Sequence, residues 1–104
     1  MKTAKFVATG MVAFGLLVVG NAQADQALAQ AKGCMACHQV DNKVVGPAYK
    51  DVAAKYKDQA DAAGMLADKV KAGGVGAWGQ VPMPPQPTLT DDEVKSLVAW
   101  VLVQ

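Results

Sequence analysis

Cys34-Met35-Ala36-Cys37-His38 decides how this chain is read. The two cysteines are the only ones in the sequence, and the histidine is the only histidine. Two thiols separated by two residues on one turn of backbone match the two vinyl groups of a haem. A histidine immediately after them falls beneath the iron. That is the mechanical content of the c-type haem attachment pattern. Three rival readings carry less weight. A disulfide across two residues closes a tiny loop and stabilises little through chain entropy. A thioredoxin-like pair needs a βαβ setting, and no strand pattern is legible here. Structural zinc takes four Cys or His ligands, and the chain owns three.

Outward from this motif, the amino terminus reads as an export signal. Lys2 and Lys5 precede an apolar run from Phe6 to Gly20, and Ala22-Gln23-Ala24 places small residues one apart. This is the basic, apolar and small-residue order of a secretory signal, cleaved after Ala24. A membrane span needs about 20 apolar residues, and this run is shorter and interrupted by Gly10 and Gly15. The expected mature domain is 25–104, periplasmic, without stable membrane insertion.

Without the signal, eight lysines face nine acids, and there is no arginine. That balance excludes a nucleic-acid-binding face, which needs concentrated basic charge. It equally gives no polybasic segment for a membrane surface. A domain of 80 residues buries a modest share of its surface, and small scaffolds commonly rely on a staple. A covalently held haem supplies a large apolar plate for that role.

The remaining chain reads as short helices joined by loops. Asp25–Lys32 is expected to be helical, capped by Asp25, with Ala27, Leu28 and Ala31 on its inner face. Gly33 ends it. Residues 39–49 form a loop with turn signals at Asp41-Asn42 and Gly46-Pro47, and Val44 and Val45 are expected beside the haem. A metal-bound histidine usually donates its other ring N–H to a carbonyl or carboxylate, and this returning loop is a natural source of the acceptor. Tyr49–Lys57 is a second helix with a Val52, Ala53, Tyr56 stripe, its lysines read as solvated charge. A third helix spans about 60–72 and stops at Gly73-Gly74. Residues 73–90 hold four glycines and four prolines, which exclude helix or central strand. Trp78, Val81 and Met83 make this loop a strap over the second haem face. The last helix opens on a Thr90/Glu93 capping box. Its apolar stripe is Val94, Leu97, Val98, Val101 and Leu102.

The sixth iron ligand follows by elimination. Met1 and Met11 leave with the signal, Met35 lies within the attachment turn, and Met65 sits mid-helix, where methionine is ordinarily filler. Met83 lies between Pro82 and Pro84, whose restricted backbone presents its thioether at little entropic cost. Nitrogen and sulfur ligands fill both axial positions, which suits an electron carrier. A peroxidase or gas-binding haem protein would need a sixth site that opens readily.

Cys34-Met35-Ala36-Cys37-His38, Val45-Gly46-Pro47, Trp78-Gly79 and Pro82-Met83-Pro84-Pro85, in this order, resemble the small bacterial class I cytochromes c across 25–104. The resemblance implies an all-α fold of four to five short helices around one haem c, with the first and last helices crossing. It implies thioethers at Cys34 and Cys37, axial ligands at His38 and Met83, and the Pro47 carbonyl receiving the His38 N–H. Trp78 would bond a haem propionate. Lys69 would stand where some relatives carry an arginine, as a point charge in place of a bidentate fork. Trp100 would pack in the core. The implied activity is one-electron transfer by a monomer, without catalysis. Its partners would be a membrane cytochrome complex as donor, and a terminal oxidase, nitrite reductase or cytochrome c peroxidase as acceptor. Lys32 and Lys43 are candidate docking residues at an exposed haem edge.

Overall fold

The computed structural model describes Gly10 and residues 21–104. The expected signal sequence lies largely outside the described residues. Among the described residues four α-helices run in order: α1 (Asn21–Ala31), α2 (Tyr49–Tyr56), α3 (Ala62–Ala72) and α4 (Asp91–Leu102). A 3-10 turn, Cys34–Ala36, follows α1, and strands β1 (Gly74–Gly76) and β2 (Gly79–Met83) lie between α3 and α4. None of the described helices is long and apolar enough to cross a membrane.

Helix α4 organises the core, because its stripe is continuous and its start is fixed. Val94, Leu97 and Val98 are buried, as is Trp100, which the stripe did not include. They form one cluster with Ala29 of α1, Tyr49 of α2 and Leu89. Ala29 is fully buried, so a side chain of one carbon lets α1 and α4 approach closely. This corrects the expected face of α1: Ala27 and Ala31 are exposed, and the contact runs through Leu28 and Ala29. In the uncleaved chain the helix begins at Asn21 and carries Asp25 in its second turn, so Asp25 does not cap it there. A second cluster of Val52, Tyr56 and Ala62 joins α2 to α3, with Met65 packed on it as filler.

The capping box of α4 is complete. The Glu93 N–H donates to Thr90 Oγ1 at 3.1 Å, and the Thr90 N–H donates to Glu93 Oε1 at 3.0 Å. The Thr90 N–H, foremost, holds the Glu93 carboxyl below its ordinary range, with Lys32 adding to the effect. Thr90→Ala should cost about 1 kcal/mol of stability, read from urea unfolding of the haem-loaded protein. An unchanged midpoint would contradict it. Because the folded-state value is lowered, the Glu93 contribution is complete above the ordinary glutamate range. It is lost as pH falls through the lowered value.

Residues 73–83 correct the expectation of a structure without strands. β1 and β2 pair antiparallel through Gly74 with Met83 and Gly76 with Gly79. A period-two pattern arises only where one face of a strand is buried. Here every residue is exposed except the half-buried Met83, so the alternation is absent. Gly76 and Gly79 flank the two-residue turn Ala77-Trp78 with φ of 102° and 116°, a region that side chains resist. Pro82 is tolerated because a two-stranded ribbon has open edges.

Candidate functional site

Gly33 begins the site. Its φ of 80° turns the chain out of α1 and into the 3-10 turn. The Cys37 and His38 N–H groups both donate to the Cys34 carbonyl, at 3.2 and 3.0 Å. This tight turn places Cys34, Cys37 and His38 on one cleft. The two thiols are not joined. Burial, foremost, pushes the Cys34 thiol above its ordinary value, against its own backbone and the Tyr49 hydroxyl, which lower it. Burial likewise raises the Tyr49 hydroxyl. Among the described residues, no three His, Cys, Asp or Glu side chains gather as a metal-ion site.

The loop after His38 closes back on the motif. The Val45 and Gly46 N–H groups donate to the Cys37 carbonyl at 3.2 and 2.7 Å. The next residue, Pro47, brings its carbonyl 2.8 Å from His38 Nδ1. A carbonyl only accepts, so Nδ1 carries the proton and Nε2 keeps its lone pair. On the other side of the loop, Tyr49 stacks on the imidazole with centroids 5.0 Å apart and planes 17° from parallel. Tyr49 in turn meets Trp100 edge-on at 5.3 Å, tying the histidine to α4 through the core. Val44 and Val45, expected beside the cleft, are about half exposed and do not line it. Their backbone is what the turn uses, and their side chains point away.

Two glycines make the site possible for different reasons. Gly46 has an ordinary φ, but a Cβ there would lie 2.5 Å from His38 Cε1 and 2.9 Å from both ring nitrogens. Gly73 has φ +73°, and a Cβ would lie 2.6 Å from the Met83 carbonyl oxygen. The first gives room to the imidazole and the second to the Met83 segment. In the sequence Gly46 reads as a turn signal and Gly73 as a helix end; the close approaches appear only once distant segments are packed.

The cleft holds about 330 Å3. Its walls are mostly apolar, with Val52, Tyr56, Leu66, Val70, Leu97 and Val98 among them. Pro47, Lys69, Trp78 and Met83 line it as well. All seven residues singled out from sequence thus converge: Cys34, Cys37, His38, Pro47, Lys69, Trp78 and Met83. Tyr49, Gly46 and Gly73 had no chemical signature of their own. A flat apolar group carrying two thiol-reactive positions and a metal fits this donor set. The thiols are unpaired, one imidazole nitrogen is oriented and available, a thioether lines the same cleft, and the walls are greasy.

Comparison with known proteins agrees with that chemistry. The family model described as Cytochrome c matches residues 22–103. Cytochrome c-552 of Nitrosomonas europaea is 57% identical over 90 residues, covering 86% of this chain and 87% of the relative. Cytochrome c-551 of Allochromatium vinosum is 54% identical over 87 residues, covering 84% and 93%. The crystal structure of wild-type Nitrosomonas europaea cytochrome c552 superposes with a TM-score of 0.72 at 55% identity, over 74% of this chain and 95% of that one. The chain belongs to the cytochrome c family, among the small bacterial class I proteins: it takes one covalently bound haem c and carries electrons, and it is not an enzyme.

Proposed function

We propose that this chain works in the periplasm as a one-electron carrier, with His38 and Met83 as the two axial ligands and thioethers at Cys34 and Cys37. The observation that carries this reading is the 2.8 Å contact between His38 Nδ1 and the Pro47 carbonyl, within a cleft that Met83 also lines. When bound, haem c supplies the redox-active iron. The chain supplies the rest. Pro47 fixes the tautomer and the ring orientation of His38, which makes Nε2 the donating atom. Met83 offers a soft thioether, which favours the reduced metal and raises the potential. His38 and Met83 would both hold the iron, which would supply the redox chemistry when bound. The apolar walls exclude water, and Trp78 and Lys69, both on the cleft, offer an N–H and an ammonium to propionates.

An electron carrier has redox partners. The donor we propose is a membrane cytochrome complex, and the acceptor a terminal oxidase, nitrite reductase or cytochrome c peroxidase. Of the two docking lysines read from sequence, Lys32 stands 3.5 Å from Glu93, and Lys43 is exposed beside Pro47, Asp51 and Trp78. Export through the leader ending at Ala24 would deliver both thiols to the compartment where haem attachment occurs. The test is the mass of the exported protein, treated with a thiol alkylator. The expected species starts at Asp25, carries one haem and takes up no label. Labelled thiols would overturn the thioether assignment. Rapid, stoichiometric carbon monoxide binding to the reduced protein at neutral pH would overturn the two-ligand assignment and favour a gas-binding role.

A further inference from the structure

The β1–β2 hairpin is fastened at its open end by backbone. The Gly73 N–H donates to the Lys69 carbonyl at 2.7 Å, and the Gln86 N–H reaches the Val70 and Lys71 carbonyls at 3.2 Å. Its tip, Gly76 to Trp78, lines the cleft, and a two-stranded ribbon is by itself marginal in water. One side chain crosses to that tip. Lys55, in the last turn of α2, donates to the Ala77 carbonyl at 3.1 Å. Its Nζ also lies 4.5 Å from the centroid of the Trp78 ring. Among the described residues, no other side chain hydrogen-bonds with residues 74–79. By sequence, Lys55 was ordinary surface charge.

We infer that Lys55 is a positioning residue: it latches the hairpin tip to α2, holding Trp78 at the cleft and, through β2, steadying Met83. The ammonium has three donors and a compact charge. One donor serves the Ala77 carbonyl while the charge faces the indole ring, so the two contacts need a cation that also donates. Arginine retains both functions, and methionine keeps the stem but neither contact. At an exposed site, the hydrogen bond and the cation–π contact together amount to roughly a tenfold bias toward the closed tip.

The experiment uses the haem-loaded protein and measures amide hydrogen exchange. In Lys55→Met, amides at 74–79 should exchange up to about tenfold faster, with those of α1 and α4 unchanged. Lys55→Arg should restore the slow rates. Lys57→Met removes the same charge from the same end of α2 and should leave the hairpin unaffected. Unchanged exchange in Lys55→Met, or an equal change in Lys57→Met, would overturn the latch. A second arm follows the rate at which added imidazole takes the sixth iron position, expected to rise in Lys55→Met alone. This arm rests on Met83 as ligand. Faster exchange with unaltered imidazole entry would confine the latch to Trp78 and overturn its reach to Met83. Should Met83 prove not to ligate the iron, the exchange arm still decides the latch.

Discussion

Met83→Ala is expected to lower the reduction potential by on the order of 0.1 V, a fraction of the roughly 0.8 V over which axial ligands tune haem. The physical cause is the loss of a thioether that favours ferrous iron, with water or an added ligand taking its place. The variant should lose the long-wavelength methionine-to-iron absorption band and bind carbon monoxide readily when reduced. The Met65→Leu control should do neither. Met65 packs on the Val52, Tyr56 and Ala62 cluster and receives a contact from Gln59 at 3.5 Å, so it acts as core filler. A methionine band that survives in Met83→Ala and vanishes in Met65→Leu would reverse the ligand assignment.

Gly46→Ala should strain the seat of His38 directly. The added Cβ would meet the imidazole at 2.5 Å, well inside contact distance. The ring has little freedom to yield, because Nδ1 is held by the Pro47 carbonyl and Tyr49 stacks on it. Something must shift: the ring, the loop from residue 39 to 47, or both. The expected cost is about 1–3 kcal/mol, the range for overpacking a filled site, and the His38–Pro47 hydrogen bond should lengthen. Thermal unfolding of the haem-loaded protein gives the first quantity, and the chemical shift of the His38 Nδ1–H proton gives the second. Gly64→Ala is the contrast, since a Cβ there meets nothing within 4 Å and Gly64 is not on the cleft. Equal effects at the two glycines would show that His38 is not confined as described.

These variants differ in how visible their positions are in the sequence. Met83 announces itself because few sulfur donors exist and prolines flank it. Gly46 does not, since glycine before proline is a common turn pairing, and only the folded loop brings its α-carbon against a ring eight residues earlier. The same holds for Tyr49, which reads as the start of an apolar stripe and turns out to bridge His38 to Trp100.

The chemistry and the helices are legible along the chain. The attachment pentapeptide names its cofactor because two thiols and an imidazole at that spacing have few other uses. The capping box and stripe of α4 specify its start and its buried face because both are local, periodic signals. Relations between distant segments emerge only on folding: which edge of α1 meets α4, the β1–β2 pairing, the room that Gly46 and Gly73 give their neighbours, and the reach of Lys55 to the hairpin tip. Each depends on surfaces brought together by folding, and a one-dimensional pattern records the face a residue turns to the core, not the residue it finds there.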